Sequence, residues 1–336
     1  MRPKKQNAAN AKDKFMHSFT ELVQLFEQRL NATLPFPSQP ETLYEPCRYF
    51  LSIGGKRVRP VLCLMSNELF GDITEDAWHG ALGIELFHNF TLIHDDIMDR
   101  APLRRGKQTV HERNGLTAGI LCGDVMSIYA YDQLANIKRS LSEVLHLFNK
   151  TSIEVCEGQQ LDMDFEERND VTIDDYIHMI SLKTAVLLAC SLKMGALLGG
   201  ATIGNAQKLY EFGKNLGIAF QLKDDYLDAF GEAEKTGKQN GGDIIENKKT
   251  FLLLKARENA NAAQKKSIDE LLDENGDHKI ASMLKLFRDT DAEQQCKQAI
   301  EKYSSLAFKN LEGVAVLHKR KEPLQELAAY LLNREM

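Results

Sequence analysis

The chain has no proline between Pro102 and Pro323, and this long interval restricts its fold more than any other feature of the sequence. Proline lacks an N–H and clashes with the preceding helical turn, so an interval without it favours helices. Apolar residues recur at helical spacing, as in Leu82, Leu86 and Phe90, and no alternating run of β-branched residues is bounded by turn residues. The sequence predicts an all-α fold.

Six of the eight prolines lie in the first sixty residues. We expect a first helix over Met16 to Leu30 and a linker from Leu34 to Pro46, with a single domain over residues 1–336. Residues 1–15 are basic and polar and are candidates for disorder. The stretch from Gly231 to Gly242 is long, polar and rich in glycine, which is typical of a mobile active-site flap.

Composition excludes several classes of protein. No run approaches the roughly 18 consecutive apolar residues of a membrane span, so we expect none. A net charge of −6 argues against binding nucleic acid through bulk charge. The N-terminus shows no apolar core of a secretory signal, and the six cysteines form no CxxC pair, which suits reduced thiols. These features predict a cytoplasmic protein.

Two clusters of three aspartates share the spacing i, i+1, i+4. They are Asp95, Asp96 and Asp99, and Asp224, Asp225 and Asp228. On a helix this spacing puts the outer carboxylates on one face, where like charges about 4 Å apart repel by roughly 4 kcal/mol at an effective dielectric near 20. Mg²⁺ would relieve this repulsion, since it prefers carboxylate oxygens completed by water and phosphate. One such cluster could be a solvated helix end, but the second copy favours a metal site.

Basic residues occur in two places near these clusters. Lys56, Arg57 and Arg59 follow a glycine pair, and Arg104 and Arg105 follow the first acidic cluster. Guanidinium groups suit bidentate contact with phosphate. The arrangement predicts one phosphate site reached through metal and another held directly, with ordinary surface arginines as the alternative.

These motifs together resemble those of one enzyme family. The segments GGKRVRP, DDIMDRAPLRRG, GQQLD, KT, FQLKDDYLD, TGKQNGGDI and NK occur in order from Gly54 to Lys248. In this the chain is similar to the all-trans isoprenyl diphosphate synthases, or polyprenyl synthetases. The resemblance implies a helical bundle around a central cavity, usually a homodimer, that joins isopentenyl diphosphate to an allylic diphosphate.

The resemblance also implies roles for individual residues. The six aspartates would hold about three Mg²⁺ ions on the allylic diphosphate, as such ions bind through carboxylates and substrate phosphates. The same diphosphate would be contacted by Arg104, Lys183 and Lys238. Isopentenyl diphosphate would be bound by Lys56, Arg59, Arg105 and His88. The allylic carbon would be flanked by Thr184 and Gln221, and less specific site positions are Gln159, Asp162 and Lys248.

Product length is expected to depend on the residues that precede Asp95. Phe90 lies five positions upstream, about 7.5 Å along a helix. In the resembling family an aromatic residue here is typical of short products, and the small Thr91 leaves some extra room. We expect geranylgeranyl diphosphate (C20), then farnesyl diphosphate (C15). The alternative is that Phe90 only packs in the core and the product exceeds C20.

Two other functions share parts of this pattern. A class I terpene cyclase would need no isopentenyl pocket, which Lys56, Arg59 and Arg105 argue against. A non-catalytic synthase subunit typically lacks aspartates from one cluster, and both clusters are complete here.

Overall fold

The structure is a computed structural model that describes residues 16–33, 36–231, 241–274 and 276–333. Its elements are α1 (Phe19–Ala32), α2 (Glu41–Ser52), α3 (Val58–Glu68), α4 (Glu75–Met98), β1 (Leu103–Arg104), β2 (Lys107–Gln108), α5 (Val110–Asn114), α6 (Leu116–Ala135), α7 (Leu141–Glu167), α8 (Ile173–Ile180), a π-helical turn (Ser181–Ala185), α9 (Val186–Leu198), α10 (Ile203–Phe230), α11 (Gly242–Ile245), α12 (Phe251–Asn259), α13 (Ala262–Leu272), α14 (Asp277–Asp289), α15 (Ala292–Glu312) and α16 (His318–Leu332). The all-α prediction is confirmed.

Local sequence explains where several helices begin. Ser18 and Thr172 close capping boxes with Glu21 and Asp175 at the starts of α1 and α8. Thr202 accepts from the backbone N–H of Asn205 at the start of α10. Each hydroxyl satisfies a donor that the first turn leaves unpaired.

The predicted first helix is confirmed, but the linker prediction is wrong at its C-terminal end. Helix α2 begins at Glu41 and runs through Pro46. Pro40 precedes the helix, and its carbonyl accepts from Leu43 N and Tyr44 N at 3.2 and 3.3 Å. Phe50 and its neighbours in α2 are buried, so tertiary packing holds the helix despite an internal proline.

Two hydrophobic clusters form the interior of the described part of the chain. The larger includes residues of α1–α7, α9, α10, α15 and α16, and the smaller includes residues of α7, α8 and α10–α15. Helix α10 belongs to both, because Phe212 packs in the larger cluster and Leu222 in the smaller. The longest helix therefore connects the two halves of the core.

One continuous helical stretch, Ile173–Leu198, is long and apolar enough by composition to cross a membrane. However, 78% of its most apolar window is buried inside the protein. Helix α9 packs against both α3 and α10, which accounts for this apolar character. An apolar stretch that is mostly buried in this way is typical of a helix in the protein core.

A two-stranded hairpin follows α4 and was not predicted. Arg104 pairs with Lys107 across antiparallel strands. The two turn residues, Arg105 and Gly106, have φ values of +53° and +73°. Positive φ at both positions is the mark of a type I′ turn, which matches the twist of paired strands. The hairpin therefore fixes the backbone positions from which the side chains of Arg104 and Arg105 extend.

Candidate active site

A cavity of about 660 Å³ lies between the loop that precedes α3, helix α4 and helix α10. Its wall contains most of the sequence-predicted residues of the isopentenyl pocket and the second acidic cluster. They are Lys56, Arg59, His88, Arg105, Gln221, Asp224, Asp225, Asp228 and Lys248. Leu188 and Phe220 give the cavity an apolar side. The fold thus brings basic and acidic groups from distant parts of the sequence to one space.

The first acidic cluster lies at the C-terminal end of α4. Asp96 is 2% exposed, and Arg104 donates to both of its oxygens from Nε at 2.8 and 2.9 Å. Burial raises the pKa of Asp95 to about 6, although the charge of Lys183 counteracts this and that of Asp99 adds to it. The hairpin arginine therefore neutralises one carboxylate, and Asp95 keeps an unfavourable negative charge.

The second acidic cluster lies near the end of α10. Asp225 is buried and accepts hydrogen bonds from the hydroxyl of Tyr176 and, at 3.0 Å, from Nε2 of Gln221. Burial and the nearby charge of Asp243 raise its pKa to about 7. Asp228 accepts the backbone N–H of Asp243 at 3.0 Å. The central aspartate of each cluster is thus held by donors of the chain itself.

The donor set of these clusters fits a hard divalent cation. Among the described residues, no three His, Cys, Asp or Glu side chains converge closely enough to chelate a metal without help. Mg²⁺ commonly takes one or two carboxylates and completes its shell with water and substrate phosphate. Crowded carboxylates with raised pKa values, as at Asp95 and Asp225, suit this kind of binding.

The basic part of the cavity is arranged around Arg59. Its Nη1 lies 3.1 Å from Nε2 of His88, and because arginine only donates, this imidazole nitrogen accepts. Burial and the charges of Arg59 and Arg105 hold the pKa of His88 well below its usual value, so the ring is neutral. Nε of Arg59 is buried and has no hydrogen-bond partner in the described part of the chain. It is a buried, unsatisfied donor of a residue that lines the cavity.

The π-helical turn between α8 and α9 carries Lys183 and Thr184. Its approach to α7 depends on Gly158, since a Cβ there would lie 2.3 Å from the backbone nitrogen of Lys183. Nζ of Lys183 donates to Asp162 at 2.5 Å, and the Thr184 hydroxyl donates to Oε1 of Gln221 at 3.2 Å. Single π turns inside helices often mark functional sites. Here the turn links α7 to the second acidic cluster.

Three further residues predicted from the sequence are Gln159, Lys248 and Lys238. Gln159 is buried, and its Oε1 has no partner within the described ranges. Burial opposes ionisation of Lys248, but the charges of Asp243 and Asp162 together raise its pKa. Lys238 and residues 232–240 of the expected flap lie outside the described residues.

Aromatic rings fill the space that precedes the first acidic cluster. Phe90 is half-buried and contacts Phe87 and His94, with ring centroids 5.5 and 4.9 Å away. Phe87 contacts Phe148 at 5.1 Å, and Phe148 contacts Tyr131 at 5.3 Å. The half-buried Thr91 bonds its hydroxyl to the carbonyl of His88 at 2.8 Å. Phe90 is thus the first ring of a row that reaches α6.

Sequence reasoning missed three residues of this site. Glu85 and Asp243 line the cavity, and Tyr176 holds Asp225. Asp243 lies within the GGDI segment and could have been singled out from it. Glu85 and Tyr176 lie in apolar helices and carry no sequence signal of their own.

Comparisons with known proteins agree with this geometry. The polyprenyl synthetase family matches residues 40–289. A short chain isoprenyl diphosphate synthase of Methanothermobacter thermautotrophicus is 37% identical, over 88% of this chain and 91% of the relative. A geranylgeranyl pyrophosphate synthase of Geoglobus acetivorans is 38% identical, over 88% and 92%. A crystal structure of a geranylgeranyl pyrophosphate synthase superposes with a TM-score of 0.89 and 41% identity, covering 96% of this chain and all of that one (100%).

The contact between α7 and the π turn gives the first prediction. Gly158→Ala should displace Lys183 and weaken the binding of inorganic diphosphate with Mg²⁺ about tenfold, because a charged hydrogen bond contributes roughly 1.5–3 kcal/mol. Titration calorimetry on folded protein measures this. Gly204→Ala is the matched control, since a Cβ at that helical glycine meets nothing within 4 Å. Equal affinities in the two variants would contradict the role of the close approach.

Proposed function

Because the chain belongs to the polyprenyl synthetase family, we propose that it condenses isopentenyl diphosphate with an allylic diphosphate to give a trans polyprenyl diphosphate, chiefly C20. The observation that carries this proposal is the shared cavity, in which a cationic pocket around Arg59 faces the acidic cluster of α10. Two anion sites next to each other are what a two-diphosphate reaction needs. Relatives named as geranylgeranyl diphosphate synthases favour C20.

The family is a divalent-metal family, and we propose Mg²⁺ as the ion, with about three per site shared between the clusters and the allylic diphosphate. The carboxylates that would hold it are those of Asp95, Asp96, Asp99, Asp224, Asp225 and Asp228. Asp96 is also bound by Arg104, and Asp225 by Tyr176 and Gln221. When bound, the metal supplies charge stabilisation of the leaving diphosphate.

The allylic side of the reaction depends on cations of the chain. Arg104 and Lys183 bind the allylic diphosphate and stabilise the charge that develops as its bond to C1 breaks. In the structure each is paired with a carboxylate, Arg104 with Asp96 and Lys183 with Asp162. These pairs hold both side chains in position before substrate arrives. Lys238 is assigned to the same group on the sequence resemblance.

Isopentenyl diphosphate binds on the other side, through Lys56, Arg59 and Arg105. The unpartnered Nε of Arg59 offers one donor, and the neutral His88 orients this guanidinium through Nη1. Gly55 lets Arg105 approach, since a Cβ there would lie 2.9 Å from its Nη1. The pocket is cationic without any metal.

The carbon chemistry takes place between these two sites. The hydroxyl oxygen of Thr184 and the amide oxygen of Gln221 lie near the allylic carbon in this assignment and favour positive charge there. The double bond of isopentenyl diphosphate attacks that carbon, and loss of a proton to the released diphosphate forms the new trans double bond. Among the described residues that line the cavity, His88 accepts from Arg59 and the clustered aspartates are assigned to the metal, so we propose the released diphosphate as the base.

The aromatic row that begins at Phe90 supports a short product. The growing tail must run from Asp95 along α4. There it meets Phe90 and then Phe87, which contacts Phe148 of the neighbouring helix α7. These three rings leave little room for a longer prenyl tail, and removal of the Phe90 ring would make room for one. Farnesyl diphosphate remains second choice and a product beyond C20 third.

We also propose a homodimer. The exposed face of α6 carries several apolar side chains, with Ile128 65% exposed and Leu116 56% exposed, together with the exposed Asp124. Its other large apolar members are Ile120, Leu121 and Tyr131. Five large exposed apolar side chains on one helix suit a twofold contact between copies. Tyr131 also touches Phe148, so the same face supports the aromatic row.

Two further proposals concern organisation and location. We propose one domain over residues 1–336, since α10 contributes to both hydrophobic clusters. We propose a cytoplasmic location, since all six cysteines are described and are free thiols, five of them buried. Free thiols of this number suit a reducing compartment.

The central test is a product assay. Purified protein is incubated with Mg²⁺, isopentenyl diphosphate and dimethylallyl, geranyl or farnesyl diphosphate in separate tubes, and the dephosphorylated products are sized by mass. A series that ends at C20 is expected, because the aromatic row blocks a longer tail. Products beyond C30 would contradict the length assignment, and no condensation with any starter would favour a non-catalytic subunit or a cyclase.

The same assay includes a matched pair of variants. Asp95→Ala should lower turnover at least about 100-fold, since electrostatic stabilisation of a leaving group is worth this much or more. Asp269→Ala removes an exposed carboxylate of α13, which pairs with Arg257 in the described part of the chain, and turnover should not change. Similar rates in both variants would contradict the assigned role of the first cluster.

Chain length gives a separate prediction. Phe90→Ala should lengthen the main product by at least one five-carbon unit, because it opens the first ring of the row. Phe26→Ala is the control, since Phe26 is a fully buried ring of α1 outside that row. An unchanged product in Phe90→Ala would mean that the limit lies elsewhere, at Phe87 or Phe148.

The dimer proposal predicts the effect of a single charge. Ile128→Asp should convert the protein to a monomer in sedimentation velocity runs, because burying an unpaired carboxylate at the contact is costly. Ile203→Asp is the control, since Ile203 is 81% exposed and lies on α10. Dimers in both variants, or a monomeric unmodified chain, would contradict the α6 contact.

A further inference from the structure

Arg57 lies between the two pocket residues Lys56 and Arg59, yet its side chain is held by the protein. The residue is 4% exposed. Its Nε donates to Glu27 at 2.6 Å, Nη1 donates to Glu85 at 2.5 Å, and Nη2 donates to the carbonyl of Leu51 at 3.1 Å. These acceptors belong to α1, α4 and α2. The guanidinium therefore ties three helices to the loop that begins α3.

The backbone at Arg57 is unusual for its residue type. With φ of 49° and ψ of 31° it adopts the left-handed conformation immediately before α3. That conformation costs a non-glycine residue about 1–2 kcal/mol, so surrounding contacts must hold it. The three hydrogen bonds of the side chain supply such contacts. The turn they hold separates Lys56 from Arg59, and both of these residues line the cavity.

Glu85 explains why the network matters to an anion pocket. Its carboxylate is 3% exposed and lines the same cavity as Arg59 and Arg105. It also accepts from Nδ2 of Asn89 at 2.9 Å. A bare carboxylate here would repel a diphosphate, and without it Arg57, Arg59 and Arg105 would repel one another. The negative charge of Glu85 is paired with Arg57 and reduces the repulsion among the three arginines. The net charge of the pocket remains positive.

We propose that Arg57, held by Glu27 and Glu85, is a positioning residue that sets Lys56 and Arg59 for the diphosphate of isopentenyl diphosphate. This inference rests on the proposed function, which assigns that substrate to this pocket. Arg57 also lines the cavity, but its side chain is 1% exposed and each of its nitrogens donates to the protein, so we assign it no contact with substrate. The allylic side is served by Arg104 on the hairpin and Lys183 on the π turn, so the network acts on one substrate only.

The test separates the two substrates kinetically. Arg57→Lys keeps the charge but loses the planar three-nitrogen fork, so KM for isopentenyl diphosphate should rise about tenfold while kcat and the allylic KM stay within about twofold. Arg29→Lys is the matched control, since Arg29 pairs with Glu75 on the surface at 2.5 Å and lies outside the cavity wall. It should leave all three parameters unchanged.

Glu27→Gln provides a second variant that keeps the size of the side chain. It weakens one of the three contacts, so KM for isopentenyl diphosphate should rise by a smaller factor, again without a change in the allylic KM. Equal rises in both KM values, a fall in kcat alone, or no change in either variant would overturn the proposal. The unmodified chain is assayed first, and its failure to condense any pair of substrates would instead overturn the proposed function.

Discussion

The burial of negatively charged carboxylates near the C-terminal ends of α4 and α10 is the constraint to which the rest of the site responds. Asp95 and Asp225 both have raised pKa values, mainly because burial disfavours their charge. The fold does not remove the charges but distributes donors around them. Arg104 binds Asp96, and Tyr176 with Gln221 binds Asp225. What remains is negative charge that a divalent cation and a polyanionic substrate can satisfy together.

The acidic and basic groups are presented by different kinds of backbone. The aspartates lie on the regular helices α4 and α10, where a spacing of four residues is enough to align them. The basic groups lie on departures from regular helix. Arg57 and Arg105 have positive φ, and Lys183 is on a π turn. Of these three residues, Arg105 lines the cavity, Arg57 donates to Glu27 and Glu85, and Lys183 donates to Asp162.

The acidic and basic groups of the candidate site could be predicted because they occur in short sequence motifs. The paired aspartates, the GGKR segment and the adjacent arginines predict two phosphate sites and indicate the family. The hairpin at Arg105 was not predicted, since two residues of strand give no periodic signal. Helix α2 began earlier than expected, because burial of Phe50 and its neighbours outweighs the preference of Pro46. Glu85 was not predicted, because the sequence does not distinguish a single buried carboxylate in an apolar helix from one that is exposed to solvent.

The sequence by itself determined the fold class, the two acidic clusters and the reaction type, since each depends on residue identity at short, fixed spacing. Tertiary structure alone decided how those groups share their charges. Nothing in the sequence shows that Asp162 holds Lys183 or that Gly158 lets the π turn approach α7. Nor does it show that Arg57, which lies in the cavity wall with Lys56 and Arg59, donates to Glu27 and Glu85. The physical reason is that such pairings join residues far apart in the chain, and only the packing of the helices brings them within hydrogen-bond distance.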